Sequence, residues 1–292
     1  MYFCLNHVHD MYKKNNGIVS YSFFPALKKA TIEDYVKLFY ESFKGDTKLT
    51  REYLQWQYID NPHGKVIGVD AFLEDELVAH YAIIPRHYQL LDTLYKSALS
   101  VNTATLPKHQ GKKLFTSLAE KTYTIAKEEG IQFIVGVANG SSVRGFIKRL
   151  GFSLLGQIRM NLSCKGAQKN KNQLNLSVDN DWLIWRLDNP SRTFTKVKHT
   201  DGSTTIRTVV NSIPFNIYRN NVNSSSIINI SKGCKILPAF TPNFCFMGTN
   251  KLQLPIQMQP SPWHLIWLTL DISLDPNLQE KLQFDGLAMD TF

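Results

Sequence analysis

The sequence predicts an α+β protein, with a mixed sheet and helices on both faces in the first half and a strand-rich second half. Three observations predict this class. Apolar residues follow strand and helix periodicities in the order β-α-α-β-β-β-α-β-α-β up to about residue 160. One of these helices connects two apolar strands, which is the connection that parallel neighbours require. Beyond residue 180 the chain is poor in charge and rich in Ile, Thr, Asn, Pro and aromatic residues, a pattern that favours strands.

The first predicted elements have clear local signals. They are an unpatterned arm, a strand and two helices, over residues 1–20, 24–30, 32–43 and 50–59. Thr31 followed by Asp34 is a capping-box pattern, so the first helix is expected to begin there. The second helix is expected to end before Asn61-Pro62, because proline disfavours helical geometry in the residue that precedes it.

The remaining elements of the first half alternate strands with helices. Two strands joined by an acidic turn precede a third strand, a helix, a buried apolar strand, a second helix and a last strand. These are expected at about residues 66–73, 77–84, 97–105, 114–130, 133–137, 143–150 and 152–160. Gly130 and Gly151 mark the two helix ends, because glycine is the usual residue just past a helix C-terminus.

The chain is expected to divide into four segments. They are an N-terminal arm, a first domain, a linker and a strand-rich C-terminal accessory domain, over residues 1–20, 21–162, 163–178 and 179–292. The linker is predicted because its residues are polar and unpatterned. The segment from Trp56 to Pro62 resembles the one from Trp185 to Pro190, so the second half is either a diverged repeat or the likeness is coincidental. Strand candidates in the second half are 206–210, 214–219, 226–230, 235–239 and 264–270.

Composition and charge exclude several classes of protein. Hydrophobic residues make up 43% and charged residues 20%, which excludes collagen-like, disordered and coiled-coil chains. No apolar run approaches the roughly 20 residues of a membrane span, and the N-terminus lacks a signal-peptide pattern. The four cysteines include no CxxC pair, which favours a reducing, cytoplasmic compartment. The net charge of +9 favours anionic ligands, such as phosphorylated cofactors or nucleic acid.

The most informative segment is a short basic turn between a strand and a helix, over residues 103–115. The first amides of a helix have no internal acceptors and carry a positive dipole, so they form a ready anion site. Lys112 and Lys113 add positive charge at the helix entrance, and a pyrophosphate suits such a site. The alternative is an ordinary solvated turn with surface lysines.

This segment resembles the GNAT family of acetyl-CoA-dependent N-acetyltransferases. The family's signature is a strand, a T-x-P-x-x-[RQ]-G-x-G-type phosphate loop, a helix, a buried strand and a helix that ends in a Gly-Phe pair. The matching residues here are Thr105, Pro107, Gln110, Gly111, Lys112, Gly151 and Phe152. The resemblance extends over about residues 24–160. It differs from a dinucleotide-binding fingerprint because the chain has no GxGxxG.

The resemblance implies an acetyl-CoA site along the strand end, the loop and the helix. Its expected contacts are Ala104, Thr105, Leu106, Gln110, Gly111, Lys112, Lys113, Leu114 and Asn139. Backbone amides at 104–106 would polarise the thioester carbonyl as an oxyanion hole does, and Asn139 would either bond the pantetheine arm or form the turn before the next helix cap. His80 and Asn102 are the catalytic candidates, the first as general base and the second to orient water or substrate. His109 is a further titratable candidate.

Two positions depart from the family's pattern. Lys113 stands where the family usually has glycine, and a side chain is tolerated there only if the backbone dihedrals are helical. Ile147 stands where many members carry a tyrosine that protonates the departing thiolate. Another acid, unassisted departure and loss of catalysis are therefore open alternatives. No metal site is expected, since His7 and His9 have metal-like spacing but no further ligands.

The resemblance implies an acyltransferase, similar to long bacterial GNAT proteins, that moves the acetyl group of acetyl-CoA to a primary amine, in the cytoplasm that the cysteine usage favours. An amino sugar is the suggested acceptor. The expected partners are a CoA thioester and a small amine, without nucleic acid, and the oligomeric state stays open. One alternative is a non-catalytic GNAT-fold binding module. Another is a tandem-GNAT transferase that uses aminoacyl-tRNA, which the positive charge and the suggested duplication fit.

Overall fold

The computed structural model describes residues 9–14, 17–45, 48–163, 172–198, 204–210, 213–220, 241–245, 252–253, 263–284 and 288. Within these ranges the helices, in chain order, are α1 Ile32–Ser42, α2 Arg51–Tyr58, α3 Leu114–Glu128, α4 Val143–Leu150 and α5 Asn180–Leu187. The strands are β1 His9–Lys14, β2 Gly17–Pro25, β3 Ile67–Leu73, β4 Glu76–Leu90, β5 Thr93–Thr105, β6 Phe133–Ala138, β7 Ser153–Ser163, β8 Leu174–Leu176, β9 Phe194–Lys198, β10 Thr204–Val210, β11 Ile213–Asn220, β12 Thr241–Cys245, β13 Leu252–Gln253, β14 Trp263–Thr269 and β15 Leu282–Gln283. A helix long and apolar enough to cross a bilayer is not found in the described part of the chain.

The predicted fold class and the first-half helices are confirmed. α1 begins at a complete capping box, in which the Asp34 amide donates to Thr31 Oγ1 at 3.3 Å and the Thr31 amide donates to Asp34 Oδ2 at 2.8 Å. α2 ends at Tyr58, shortly before Pro62. These elements were predictable because their signals lie within a few residues of one another.

The expectation of an unpatterned arm over residues 1–20 is wrong for its described part. β1 and β2 form an antiparallel hairpin in which Lys14 lies opposite Gly17, and β2 pairs with β3. The strand expected over 24–30 therefore begins earlier and ends at Pro25. β1 reads His-Asp-Met-Tyr-Lys-Lys, so no apolar alternation marks it as a strand. Residues 1–8 lie outside the described residues.

The described strands belong to one mixed sheet. Its main path runs β1-β2-β3-β4-β5-β6-β14-β7-β12-β11-β10-β9, with β13 beside β7 and β8 beside β4 and β15. From β3 to β9 this order is symmetrical about the central pair, β14 and β7. On each side, three antiparallel strands lead to a parallel fourth strand: β3-β4-β5-β6 in one half and β9-β10-β11-β12 in the other. This symmetry supports the interpretation of the second half as a diverged repeat.

β14 comes from the C-terminal segment but lies inside the sheet of the first half. It pairs antiparallel with β6, where Ile266 lies opposite Gly136, and with β7, where Trp263 lies opposite Ile158. The segment 179–292 thus contributes a central strand to the sheet of segment 21–162. The exact domain boundaries stay a prediction.

Other second-half expectations have mixed outcomes. The strand candidates 206–210, 214–219 and 264–270 are confirmed as β10, β11 and β14. The candidates 226–230 and 235–239 lie outside the described residues. The linker expected over 163–178 is wrong for residues 174–176, which form β8 and pair with β4 and β15. This three-residue strand is too short to produce a recognisable period.

Trp56 of α2 and Trp185 of α5 contact each other reciprocally. Trp56 Nε1 donates to the Trp185 carbonyl oxygen at 2.7 Å, and Trp185 Nε1 donates to the Trp56 carbonyl oxygen at 2.8 Å. The two buried rings stack with centroids 4.5 Å apart. Thr50 and Asp179 cap the two helices through their side-chain oxygens. Reciprocal contacts of this kind define a local two-fold relation, as a duplicated segment would produce.

The helices of the first half cover both faces of the sheet. Successive strand residues point to opposite faces, and His80 and Tyr81 on β4 illustrate this. The His80 ring lies 4.6 Å from that of Tyr35 on α1, and its Nε2 lies 3.0 Å from Tyr58 OH on α2. Tyr81 OH instead lies 2.8 Å from Tyr123 OH on α3. One face therefore carries α1 and α2, and the other carries α3.

Candidate active site

β5 and β6 diverge toward their C-terminal ends. Their parallel pairing runs from Ser97 to Ser100 on β5 and ends at Gly136 on β6, although β5 continues to Thr105 and β6 to Ala138. Backbone groups on the facing edges of two diverging strands need other partners. The opening between these strands is therefore a natural place for an extended ligand that carries amides.

A β-bulge interrupts β5 inside this opening. Ala104 pairs with His80 and Val101 pairs with Ala82, so β5 places two residues opposite one of β4. Asn102, in the bulge, has a left-handed φ of 48°. A bulge leaves its extra residue outside the hydrogen-bonded ladder, so backbone donors become available at this point of the opening.

The loop after β5 leads into α3 with a row of free amides. Among the described residues, the N–H groups of 111–115 have no hydrogen-bond acceptor, whereas the next two amides donate to the Lys113 carbonyl oxygen. Gly111 has φ 76° and Lys113 has φ 60°, both left-handed. Turns of this kind direct successive N–H groups into a concave anion-binding nest, and the dipole of α3 adds positive potential. This geometry suits a diphosphate.

Lys113 takes the backbone conformation that glycine prefers, with φ 60° and ψ 8°. The expectation that a side chain is tolerated there only with helical dihedrals is wrong, because the loop holds a non-glycine residue in the left-handed region. The cost of that conformation is about 1–2 kcal/mol. Gln110 braces the loop, since its Nε2 donates to the Thr105 carbonyl oxygen at 3.1 Å.

His109 lies beneath the loop and supports it. The side chain is buried, and its Nδ1 lies 2.8 Å from Tyr21 OH. Lys112 Nζ lies 5.8 Å from the centroid of the same tyrosine ring. Burial, followed by the positive charges of Lys112 and Lys108, lowers the pKa of His109 below its ordinary value. The neutral imidazole therefore acts as a structural support for the loop.

His80 and Asn102 lie on one buried hydrogen-bonded chain. Asp70 Oδ1 lies 2.6 Å from His80 Nδ1, and His80 Nε2 lies 3.0 Å from Tyr58 OH. Asn102 Nδ2 donates to the same Tyr58 oxygen at 3.2 Å. Tyr35 OH donates to the other Asp70 oxygen at 2.7 Å. The Asp70 carboxylate only accepts hydrogen bonds, so it fixes the direction of the others. His80 donates to it from Nδ1 and accepts a hydrogen bond from Tyr58 OH at Nε2.

This arrangement favours a positioning role for His80. The side chain is fully buried, and both ring nitrogens are engaged. Burial raises the pKa of Tyr58 well above its ordinary value, so this hydroxyl stays a donor. Asn102 Nδ2 also donates to Gln57 Oε1 at 2.6 Å, which leaves Asn102 Oδ1 as the acceptor without a partner among the described residues. A direct role of His80 as general base stays a prediction.

Sequence reasoning missed Asp70, Tyr58 and Gln57 as members of this site. Asp70 was detectable in principle, because it is the one carboxylate in the apolar run 66–73 and a buried charge needs a partner. The β3–β4 register places it opposite His80. Nothing local distinguishes Tyr58 and Gln57 from the buried residues around them in α2.

Asn139 and Ile147 lie on the other side of the opening. Asn139 Oδ1 accepts from the amides of Ser141 and Ser142 at 3.1 and 2.9 Å, so Asn139 forms the turn that precedes the N-cap of α4, which is Ser142. Ile147 is half-buried on α4 and supplies no hydroxyl. In the described ranges, no group of three or more His, Cys, Asp or Glu side chains could hold a metal ion; His7 lies outside these ranges.

A family model described as an acetyltransferase (GNAT) domain matches residues 24–155. That range contains the diverging strands, the amide-lined loop and the hydrogen-bonded side chains of His80, Tyr58 and Asn102. This part of the chain is a GNAT domain. The protein is accordingly an acyltransferase, and GNAT acyltransferases draw the acyl group from an acyl-CoA thioester. A search of the curated proteins finds no match to the sequence.

A solved structure shares the fold beyond the GNAT domain. A conserved protein of unknown function from Enterococcus faecalis, described as a probable N-acyltransferase, matches 86% of this chain and 73% of its own, with a TM-score of 0.59 and 9% identity. At that identity the match shows the fold alone, and it includes much of the second half. N-myristoyltransferase of Saccharomyces cerevisiae with bound myristoyl-CoA matches 75% of this chain and 69% of its own, with a TM-score of 0.49 and 12% identity.

Proposed function

We propose that this GNAT protein is an acetyl-CoA-dependent N-acetyltransferase that acetylates a primary amine, with an amino sugar as the suggested acceptor. One observation carries the proposal: a loop with five free amides directly adjoins an opening between diverging parallel strands. A CoA thioester offers a diphosphate to the first and an amide-containing pantetheine arm to the second. Cysteine usage makes the cytoplasm the expected location.

The proposed acetyl-CoA contacts are divided between the loop and the strand edges. The amides of 111–115 and the Lys112 and Lys113 ammonium groups bind the diphosphate. The edge of β5 at Ala104 and Thr105, which is not paired with β6, bonds the pantetheine arm, and Asn139 Nδ2 reaches it from the end of β6. Gln110 holds the loop in shape, and Leu106 and Leu114, both buried, anchor its two ends.

The donor that polarises the thioester carbonyl is assigned to the bulge. The Leu106 amide donates to the Val78 carbonyl oxygen at 2.9 Å, so the prediction of an oxyanion hole at 104–106 is wrong for this residue. Asn102 and Thr103 lie where β5 has an extra residue, which leaves a backbone donor free. A donor fixed by the sheet needs no reorganisation as charge develops on the oxygen.

The acceptor amine is expected on the face of α1 and α2, where Asn102 lies. Asn102 Oδ1 accepts an N–H of the neutral amine and thereby turns its lone pair toward the carbonyl carbon. Tyr58 and His80 hold Asn102 in that orientation. Attack forms the C–N bond, breaks the C–S bond and yields the N-acetyl product, the CoA thiolate and one proton. Proximity is the protein's main contribution in this scheme.

The symmetry of the sheet favours a second candidate function. Two GNAT-like halves are what a tandem transferase using aminoacyl-tRNA would have. Such an enzyme would bind tRNA with a steep dependence on salt concentration, whereas an acetyltransferase would bind acetyl-CoA saturably without tRNA. A non-catalytic module would bind the thioester but release no thiol with any amine.

Isothermal titration with acetyl-CoA tests the proposal. The wild-type protein should bind saturably, and Lys112→Glu with Lys113→Glu should weaken binding by about 100-fold or more, because two charge-assisted contacts become repulsions. The matched control is Lys28→Glu with Lys65→Glu, which changes the net charge equally at exposed positions of the same domain.

Thiol release with a panel of amines then separates the enzyme from a binding module. Binding without release for every amine, amino sugars included, would leave only the module. Equal affinity of the loop variant and the control would overturn the diphosphate assignment itself.

A further inference from the structure

Three hydroxyl groups form a hydrogen-bonded chain on the face of the sheet opposite His80. Tyr81 OH lies 2.8 Å from Tyr123 OH and 3.1 Å from Ser100 Oγ. Tyr81 is fully buried, Tyr123 is 9% exposed and Ser100 is half-buried. This series of hydrogen bonds therefore begins beneath α3 and ends at Ser100, which is partly exposed to solvent.

Ser100 lies where the opening begins. It is the last β5 residue paired with β6, and its partner there is Gly136. A Cβ on residue 136 would lie 3.0 Å from Ile266 Cγ1 and 3.5 Å from Ser100 Cβ. Gly136 thus allows Ile266 of β14 to pack closely against the strand beside Ser100, on the face that also carries α3.

Either oxygen can be the donor in each of the two hydrogen bonds, and one of the two directions suits a donor role for Ser100. Burial raises the pKa of Tyr81 to about 12 and raises the pKa of Tyr123 above its ordinary value, so both hydroxyls stay protonated. If Tyr123 donates to Tyr81 and Tyr81 donates to Ser100, the Ser100 proton is free to point into the opening. Hydrogen bonds aligned in this way strengthen one another.

We propose that Ser100 donates a hydrogen bond to the sulfur of CoA as the thioester C–S bond breaks, with Tyr81 and Tyr123 polarising it from behind. This inference rests on the proposed acyl-transfer function and assigns a role that Ile147 cannot perform from α4. Ser100 is then a catalytic residue that contacts the leaving group, and the two tyrosines are positioning residues.

No proton leaves Ser100 in this step. The amine nitrogen supplies the electron pair of the new C–N bond, and the electron pair of the C–S bond moves to sulfur. The proton lost by nitrogen passes to solvent, and the thiolate departs with the Ser100 hydrogen bond in place of a protonating acid. Hydrogen bonds to a charged partner are the strong ones.

Binding of CoA itself gives a readout independent of turnover. At about pH 9, above the ordinary pKa of about 8.5 of a cysteine thiol, part of the free CoA carries a thiolate, and a hydrogen bond to the sulfur favours that form. The wild-type protein should then prefer CoA over desulfo-CoA, in which hydrogen replaces the thiol, by about tenfold. Ser100→Ala should reduce that ratio to near one and Ser100→Thr should restore it. Ser153→Ala, an exposed serine of β7, is the matched control.

Kinetics with two donors give a second readout. Ser100→Ala should lower kcat with acetyl-CoA by about tenfold or more while the affinity for acetyl-CoA stays unchanged. With an activated nitrophenyl ester, whose leaving group needs no assistance, the same variant should match the wild type. Tyr81→Phe should give a smaller loss, of about threefold, because Ser100 keeps its hydroxyl but loses its polarising donor.

The two proposals fail in different ways. Absence of acetyl-CoA binding or turnover in the wild type would overturn the proposed function. A wild type that turns over, with a CoA to desulfo-CoA ratio unchanged in Ser100→Ala, would overturn the role of Ser100 alone. If Ser100→Ala does not fold, an unchanged ratio and kcat in Tyr81→Phe would do the same.

Discussion

The two halves of the molecule share one framework, but within the residues that the structure describes the candidate site lies in the first half. Each half has a capped helix, a buried tryptophan, an Asn-Pro pair, three antiparallel strands and a parallel fourth strand. In the first half, the connection from β5 to β6 contains the amide-lined loop and α3. In the second half the corresponding connection, 221–240, lies outside the described residues, and its sequence contains no T-x-P-x-x-[RQ]-G motif.

This difference separates the residues that hold the fold from those that form the site. The tryptophans and the Asn-Pro pairs occur in both halves, so their role is the shared framework. The loop at 105–113, Asn102 and the hydrogen-bonded side chains behind it are described in the first half, where they form the proposed ligand site. The exchange of β7 and β14 across the centre makes the halves one sheet, which predicts that damage to the framework of either half destabilises both.

The largest effect is expected from removing the shared tryptophans. Trp56→Ala and Trp185→Ala should each lower the free energy of unfolding by about 3–5 kcal/mol, because each leaves a large cavity and removes a hydrogen bond to a carbonyl oxygen of the partner helix. Urea unfolding measures both values. The double variant should cost less than the sum, by about 0.5–3 kcal/mol, because the two rings share one contact. Strict additivity would contradict the reciprocal contact.

A smaller effect distinguishes the two Asn-Pro pairs. Asn61 Nδ2 donates to the Pro85 carbonyl oxygen at 3.0 Å, and its Oδ1 accepts from the His63 amide at 3.2 Å. Asn189 Oδ1 accepts from the Ser191 amide at 2.8 Å, with no partner for its Nδ2 among the described residues. Asn61→Ala should therefore cost about 1–3 kcal/mol, and Asn189→Ala about half as much.

Aspartate variants provide the control for this pair. Asn61→Asp and Asn189→Asp keep Oδ1 but remove the Nδ2 donor, so only the first should lose a bond that the wild type makes. Urea midpoints of all four variants measure the difference. Equal losses at the two positions would show that the halves use their Asn-Pro pairs alike, against the geometry described.

Local sequence patterns predicted individual helices and turns, but they did not predict which distant segments pair with each other. The capping box at Thr31 and the loop before α3 are complete within a few residues, so the sequence is sufficient to find them. The Trp56–Trp185 contact joins residues 129 positions apart, and β14 enters the sheet of the first half from beyond residue 260. The series of side-chain hydrogen bonds that links Asp70 to Asn102 likewise depends on the register of three strands, which no local period specifies.

The free energy of unfolding is expected to depend on pH through His63, which lies where the two halves meet. The side chain is 4% exposed, its ring centroid lies 4.2 Å from that of His87, and its Nε2 lies 3.4 Å from Asp179 Oδ2 on the N-cap of α5. Burial, followed by the neighbouring His87, lowers the pKa of His63 to about 4. Between about pH 6.5 and pH 4 the unfolded chain takes up a proton that the folded chain does not.

Stability should therefore fall as the pH drops through that window, by about 1–2 kcal/mol once solvent screening is allowed for. Urea unfolding from about pH 7 to pH 4 measures the slope. His63→Gln should flatten it while leaving a residual slope from His87, whose pKa burial also lowers. A slope that is identical in His63→Gln would place the acid sensitivity elsewhere.

The smallest expected effect on the free energy of unfolding comes from the left-handed backbone conformation of Lys113, in the loop of the candidate site. Lys113→Gly should raise the free energy of unfolding by up to about 1 kcal/mol, because glycine adopts the left-handed conformation without the steric cost of a Cβ. Gly111→Ala, at φ 76° in the same loop, should lower it by a similar amount. Urea unfolding of the two variants measures the opposite signs. If Lys113→Gly destabilised the protein instead, the left-handed lysine would be stabilised by contacts of its own. The loop would then be a preferred conformation of this sequence and not strain retained for a ligand.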